Sequence, residues 1–144
     1  MHKHEALIRR YFDACNAADH DALMSCFTPD AVHYFPPGLP DIPWRGAEAI
    51  ARKWIWCVEN LGSQWTIEKV LVSRDSDEAV IEWTHWKRKQ ATAQRGDEWY
   101  VFDPGSGLIT NILRSTVDRV ATAVGRRTGS PTTPRPDGRS PAPA

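Results

Sequence analysis

The sequence predicts an α+β fold, with helices from the first half of the chain lying against one face of a curved antiparallel sheet built mainly by the second half. Three observations predict it. Apolar residues recur at helical spacing in two N-terminal stretches and again around Trp54. Four later segments, rich in β-branched and aromatic residues, follow one another through short polar turns. A length of 144 residues suits one domain with one core.

In chain order, Leu7, Ile8, Tyr11, Phe12 and Cys15 form the buried stripe of a first helix over residues 5–16. Ala22, Leu23, Cys26 and Phe27 repeat the stripe after a polar break, with Asp19 or Asp21 as cap, and Pro29 stops this second helix by Thr28. Residues 30–35, DAVHYF, read as a strand, and Pro36, Pro37, Pro40 and Pro43 make the loop after it stiff. Ala47, Ile50, Trp54, Cys57, Val58 and Leu61 define a third helix that turns Trp54 inward and ends at Gly62. Strands follow over 64–73, 78–88 and 91–103, and a Pro-Gly-Ser-Gly turn leads to a last strand over 108–115. Residues 1–117 make the domain. Residues 118–144, rich in Pro, Arg and Thr, cannot bury enough apolar area to order and are expected to be a disordered tail.

Composition excludes several functions. Lysine plus arginine and aspartate plus glutamate stand at 18 each, and five of the arginines lie beyond residue 115, so the folded part is mildly acidic. The stretch WTHWKRK interleaves rings and cations as single-stranded nucleic-acid binders do, but no second basic cluster accompanies it; a solvated strand end is expected, with no nucleic-acid partner. Cys15, Cys26 and Cys57 have no CxxC spacing and read as reduced core thiols. MHKHEALIRR is too short and charged for a signal peptide and no apolar run approaches about 18 residues, so a cytoplasmic protein without membrane contact is expected. His2 and His4 sit on what reads as a flexible terminus, and His33 with His85 would need Glu98 to complete a ligand set, so no metal is expected. The chain has no phosphate-cradling glycine loop and no nucleophile elbow, and no cofactor is expected.

Side-chain alternation decides which residues face the helices. In 79–86 the odd set, Ala79, Ile81, Trp83 and His85, is the more apolar and is placed inward. The residues alone leave the phase of 30–35 and of 97–103 open.

The order of "ALIRRYFDACNAADHDALMSCFTPDAVHYF", "WRGAEAIARKW", "AVIEWTHW" and "DEWYVFDPGSGLIT" over residues 5–115 resembles the nuclear transport factor 2-like superfamily, and within it the SnoaL-like branch. The resemblance implies a cone-shaped sheet whose concave face, with three helices, encloses an apolar pocket. It also implies that a few polar side chains in the pocket set the chemistry, and that the chain pairs into homodimers through the sheet. Relatives of this fold include polyketide cyclases, limonene-epoxide hydrolase, scytalone dehydratase, ketosteroid isomerase and catalytically silent binding proteins. The alignment favours His33 and Phe35, and Glu98 and Tyr100, inward. The expected site is then His33, His85, Glu98 and Tyr100 as acid–base groups, with His85 as base, walled by Tyr11, Phe35, Trp54 and Trp83 around a small apolar, oxygenated substrate. The last strand departs from the family pattern: Arg114 falls near where some relatives carry a functional acid, and LITNILRS runs directly into the Arg- and Pro-rich tail.

Overall fold

The computed structural model describes residues 1–120. Three helices, α1 (Lys3–Ala17), α2 (His20–Met24) and α3 (Ala47–Leu61), pack on one face of a six-stranded, unclosed sheet. Its strands are β1 (Phe27–Tyr34), β2 (Trp44–Arg45), β3 (Ser63–Val72), β4 (Glu78–Lys87), β5 (Thr92–Phe102) and β6 (Ile109–Val120), in spatial order β2-β1-β6-β5-β4-β3. β3 to β6 form the expected meander. The sheet is antiparallel except where β1 lies parallel to β6, so the first strand closes the sheet beside the last one.

Helix α1 buries Leu7, Ile8, Tyr11, Phe12 and Cys15, the stripe that its spacing encodes. It starts two residues earlier than the stripe suggests, because the His2 ring accepts the His4 N–H at the first turn. His4 is correspondingly no part of a loose terminus. It is 2% exposed, stacks on Phe102 at 4.0 Å and meets Asp77 at 3.1 Å. Helix α2 is capped by Asp19, which accepts the Ala22 N–H. It is shorter than its apolar pattern, since Phe27 leaves the helical stripe to open β1 and pair with Ile109; the approach to Pro29 favours extended backbone there. Gly62 ends α3 with φ of +65°, the left-handed turn that glycine adopts without strain.

Strand β2 has no alternation long enough to read from sequence, yet it places Trp44 against His33 across the β1–β2 pair. The β4–β5 connection is a single 3₁₀ turn, Arg88–Gln90, and β6 continues through Val120, past the last strand residue that the sequence suggests. Of the tail expected to be disordered, residues 121–144 lie outside those described. No helix among the described residues is long and apolar enough to cross a membrane.

The strand registers line up the inner face in rows. Arg114, Glu98 and Ile81 are cross-strand partners, as are Gly96 and Trp83, and Gln94, His85 and Trp65. Gly96 is required there: a Cβ on it would come within 2.3 Å of the Trp83 ring. On the outer face a second row, Leu71, Val80, Trp99, Leu113 and Tyr34, crosses five strands. Leu71, Trp99, Leu113 and Tyr34 in that row are exposed.

Candidate ligand pocket and buried acid–base cluster

Two neighbouring spaces lie between the inner sheet face and the helices. The outer one is an open cavity of about 430 Å³, in the size range of small-molecule sites. The proline-rich loop supplies one wall through Pro36, Pro37 and Leu39, and the end of α3 supplies another through Trp54, Cys57 and Leu61. Phe35 and Trp44, 4.5 Å apart and tilted, add aromatic surface, and the polar lining is His85, Lys87, Gln94 and Arg114. Among the described residues no carboxylate lines it.

The inner space is far smaller. Tyr11, Phe12, Cys15, Trp54, Trp65 and Glu98 leave a void of about 10 Å³, room for roughly one water. Behind it stand His33, Glu98 and Tyr100, exposed by 0%, 4% and 0%. The alternating phase of β1 and β5 carries them inward together.

In this cluster the Tyr100 hydroxyl donates to Glu98 Oε2 at 2.5 Å, while His33 Nε2 lies 3.6 Å from Glu98 Oε1. His33 Nδ1 faces the Tyr34 carbonyl oxygen at 3.2 Å. Both imidazole nitrogens therefore face acceptors. A neutral ring carries one N–H and can donate it to only one of them, and at 3.6 Å Nε2 makes no hydrogen bond to Glu98. Burial pulls the His33 imidazole below its ordinary value, against the upward pull of Glu98. Burial likewise acts to raise the Glu98 carboxyl, but His33, Arg114 and Tyr100 outweigh it and hold the group below the usual carboxylate range. Tyr100 and Tyr11 are pushed well above the usual phenol value by burial, and Tyr100 stays a donor.

His85, the expected base, stands in different company. It lines the open cavity, stacks on Trp65 at 4.6 Å and bonds Ser63 Oγ through Nε2 at 2.7 Å. Burial, with the charges of Arg114 and Lys87, lowers its pKa to about 3. It is a neutral hydrogen-bonding ring at neutral pH, and its low basicity suits polarising a ligand better than deprotonating one.

The residues expected at the site thus fall into separate groups. Phe35, Trp54 and His85 line the open cavity. His33, Glu98 and Tyr100 form the buried cluster, and Tyr11 is core beside it, edge-on to Phe27 and Tyr100. Trp83 is 1% exposed and lies beneath the Arg114 guanidinium at 4.2 Å. Trp44, Lys87 and Gln94 were not legible as site residues, and Arg114 stood out in the sequence only as a departure from a family pattern. Among the described residues no three His, Cys, Asp or Glu side chains converge to hold a metal ion.

A model of the SnoaL-like domain matches residues 8–112. A solved protein of unknown function with a cystatin-like fold from Methylobium petroleophilum PM1 is 40% identical, with a TM-score of 0.79, and the match covers 92% of this chain and 95% of that one. An NTF2-like protein from Mesorhizobium loti is 21% identical over 80% of this chain and 91% of its own, with a TM-score of 0.66. A Mycobacterium tuberculosis protein in complex with estradiol-17β-hemisuccinate is 17% identical over 83% of this chain and 98% of its own, with a TM-score of 0.70. A search of curated proteins found no match. With a family model spanning most of the folded part and a solved relative matching nearly end to end, the chain belongs to the SnoaL-like domain family.

Proposed function

We propose that this protein binds a small, flat, apolar oxygenated molecule in the open cavity and carries out cofactor-independent acid–base chemistry on it. The observation that carries the reading is the buried His33–Glu98–Tyr100 cluster, where an imidazole nitrogen and a carboxylate oxygen lie 3.6 Å apart. An imidazole beside a carboxylate can give a proton to a substrate or take one from it. His33 and Glu98 are the proton-transferring pair in this reading, Tyr100 holds the carboxylate in place, and His85 is the neutral group that bonds the substrate oxygen. Phe35 and Trp54 stand between the cluster and the cavity, stacked on and edge-on to His33 at 4.2 and 5.5 Å. Their displacement by a ligand would join the two spaces. Cyclisation, dehydration, isomerisation and epoxide opening all use such a pair. The M. tuberculosis fold neighbour's steroid ester is a molecule of the proposed flat shape.

The test is proton transfer itself. A panel of aromatic and polycyclic ketones is incubated with the protein in D₂O, and deuterium at the carbon beside the carbonyl is followed by NMR. Wild type accelerates exchange for at least one member, and Glu98→Gln loses about 10²–10⁴-fold of it while ligand-induced tryptophan quenching persists. The small inner void, with no room for a substrate beside the cluster, favours a second reading, a binding protein without chemistry. Quenching by ligands with no exchange in wild type would select it.

We further propose a homodimer through the outer sheet face, supported by the exposed row of Leu71, Trp99 and Leu113. The free, unpaired Cys15, Cys26 and Cys57 support work in a reducing compartment such as the cytoplasm.

A further inference from the structure

The open cavity has an unbalanced charge. Among the described residues two cations, Arg114 and Lys87, line it, and no aspartate or glutamate does. Arg114 is the more demanding of the two. Its guanidinium lies over the Trp83 ring at 4.2 Å, with the Phe35 ring 5.7 Å away. Among the described residues its one hydrogen bond is a long 3.4 Å contact to Gln94 Oε1, its Nε is buried without a partner, and it makes no salt bridge. Glu98, its cross-strand neighbour, is engaged instead with His33 and Tyr100. Burying a cation costs free energy unless a counter-charge meets it. A planar fork of donors held over an aromatic ring is preorganised for a two-oxygen anion.

We propose that the ligand of this cavity carries a carboxylate on a flat apolar body, with Arg114 gripping the carboxylate and Phe35, Trp44 and Trp54 packing the body. Lys87 adds positive potential and Gln94 holds the guanidinium in its plane. The inference rests on the reading of this cavity as a ligand site and narrows the class of ligand. The aromatic walls argue against a bare inorganic anion, which would leave them wet.

The test uses the full chain and two probes of the same shape, 2-naphthoate and 2-naphthamide, by calorimetry and tryptophan quenching. Wild type binds the naphthoate at least about tenfold more tightly than the amide, the difference expected for a charge-assisted bidentate bond. Arg114→Gln removes that preference and leaves the amide affinity within about twofold, and Arg114→Lys restores part of it. Added salt weakens naphthoate and not amide binding to wild type, a readout that holds even if a variant at Arg114 fails to fold. Equal or weaker binding of the naphthoate by wild type overturns the carboxylate assignment and leaves the ligand site standing. Binding of neither probe at millimolar concentration overturns both.

Discussion

The buried cluster and the open cavity lie against the same face of the sheet, and they treat charge in opposite ways. Glu98 answers its burial with Tyr100 on one oxygen and His33 by the other. One residue across the ladder, Arg114 is half-buried, and its company is an aromatic plate and a distant amide. A buried charge that is matched by the protein itself belongs to the fold, because its partners come with the chain. One that is left unmatched beside an opening points to a partner that arrives from outside.

The sharpest break of that comparison is a pair of substitutions. Glu98→Ala strands His33 and Tyr100 without their carboxylate and should lower unfolding free energy by about 3–5 kcal/mol. Arg114→Met removes an uncompensated cation and should be neutral or stabilising. Urea unfolding of both measures the gap, and equal losses would erase the distinction between the two regions. Next in size is Gly96→Ala. The new methyl group would meet the Trp83 ring at 2.3 Å and the Ser115 carbonyl oxygen at 2.8 Å, at a cost of about 1–3 kcal/mol, seen as a lower Tm.

His85 gives a smaller effect with a defined sign. Its folded-state pKa of about 3 lies below the ordinary histidine value, so the unfolded chain binds more protons in between. Its contribution to stability is complete above about pH 6.5 and drains away as pH falls toward 3, by at most about 1.4 kcal/mol per unit. His85→Gln should flatten that part of the stability profile when denaturation midpoints are compared at about pH 7 and about pH 4.5. A profile with unchanged slope would mean that the ring is charged in the fold. Least disturbing to the folded chain is Trp99→Glu on the outer row. It should leave Tm within a few degrees and convert the proposed dimer to monomer in light scattering.

What could be read from the sequence was what neighbours along the chain decide. The stripe Leu7, Ile8, Tyr11, Phe12 and Cys15 is buried, and the apolar odd phase of β4 faces the helices. The inward phase of Glu98 and Tyr100, left open by the residues and favoured by the resemblance, is the one in the structure. What could not be read depends on pairings across the fold. The parallel β1–β6 contact draws Phe27 out of its helical pattern, and His4 is fixed by Asp77, 73 residues away. Trp44 reaches the cavity only because a two-residue strand pairs with β1. The meaning of Arg114 emerges only once β5 and β6 are set in register and its natural counter-ion is seen to be engaged elsewhere. The weak basicity of His85 comes first from its burial and then from Arg114 and Lys87, which line the same cavity.

Alternation along the strands gives the molecule two occupations on one thread. Leu113 and Arg114 are consecutive, as are Glu98 and Trp99, so the greasy outer seam and the charged interior are separated by single residues. Deleting one residue within β6 would exchange them, turning the guanidinium out to solvent and the leucine into the hollow. Length changes should therefore be accommodated in the proline-rich segment after β1, while the frame of the last two strands is fixed from both sides at once.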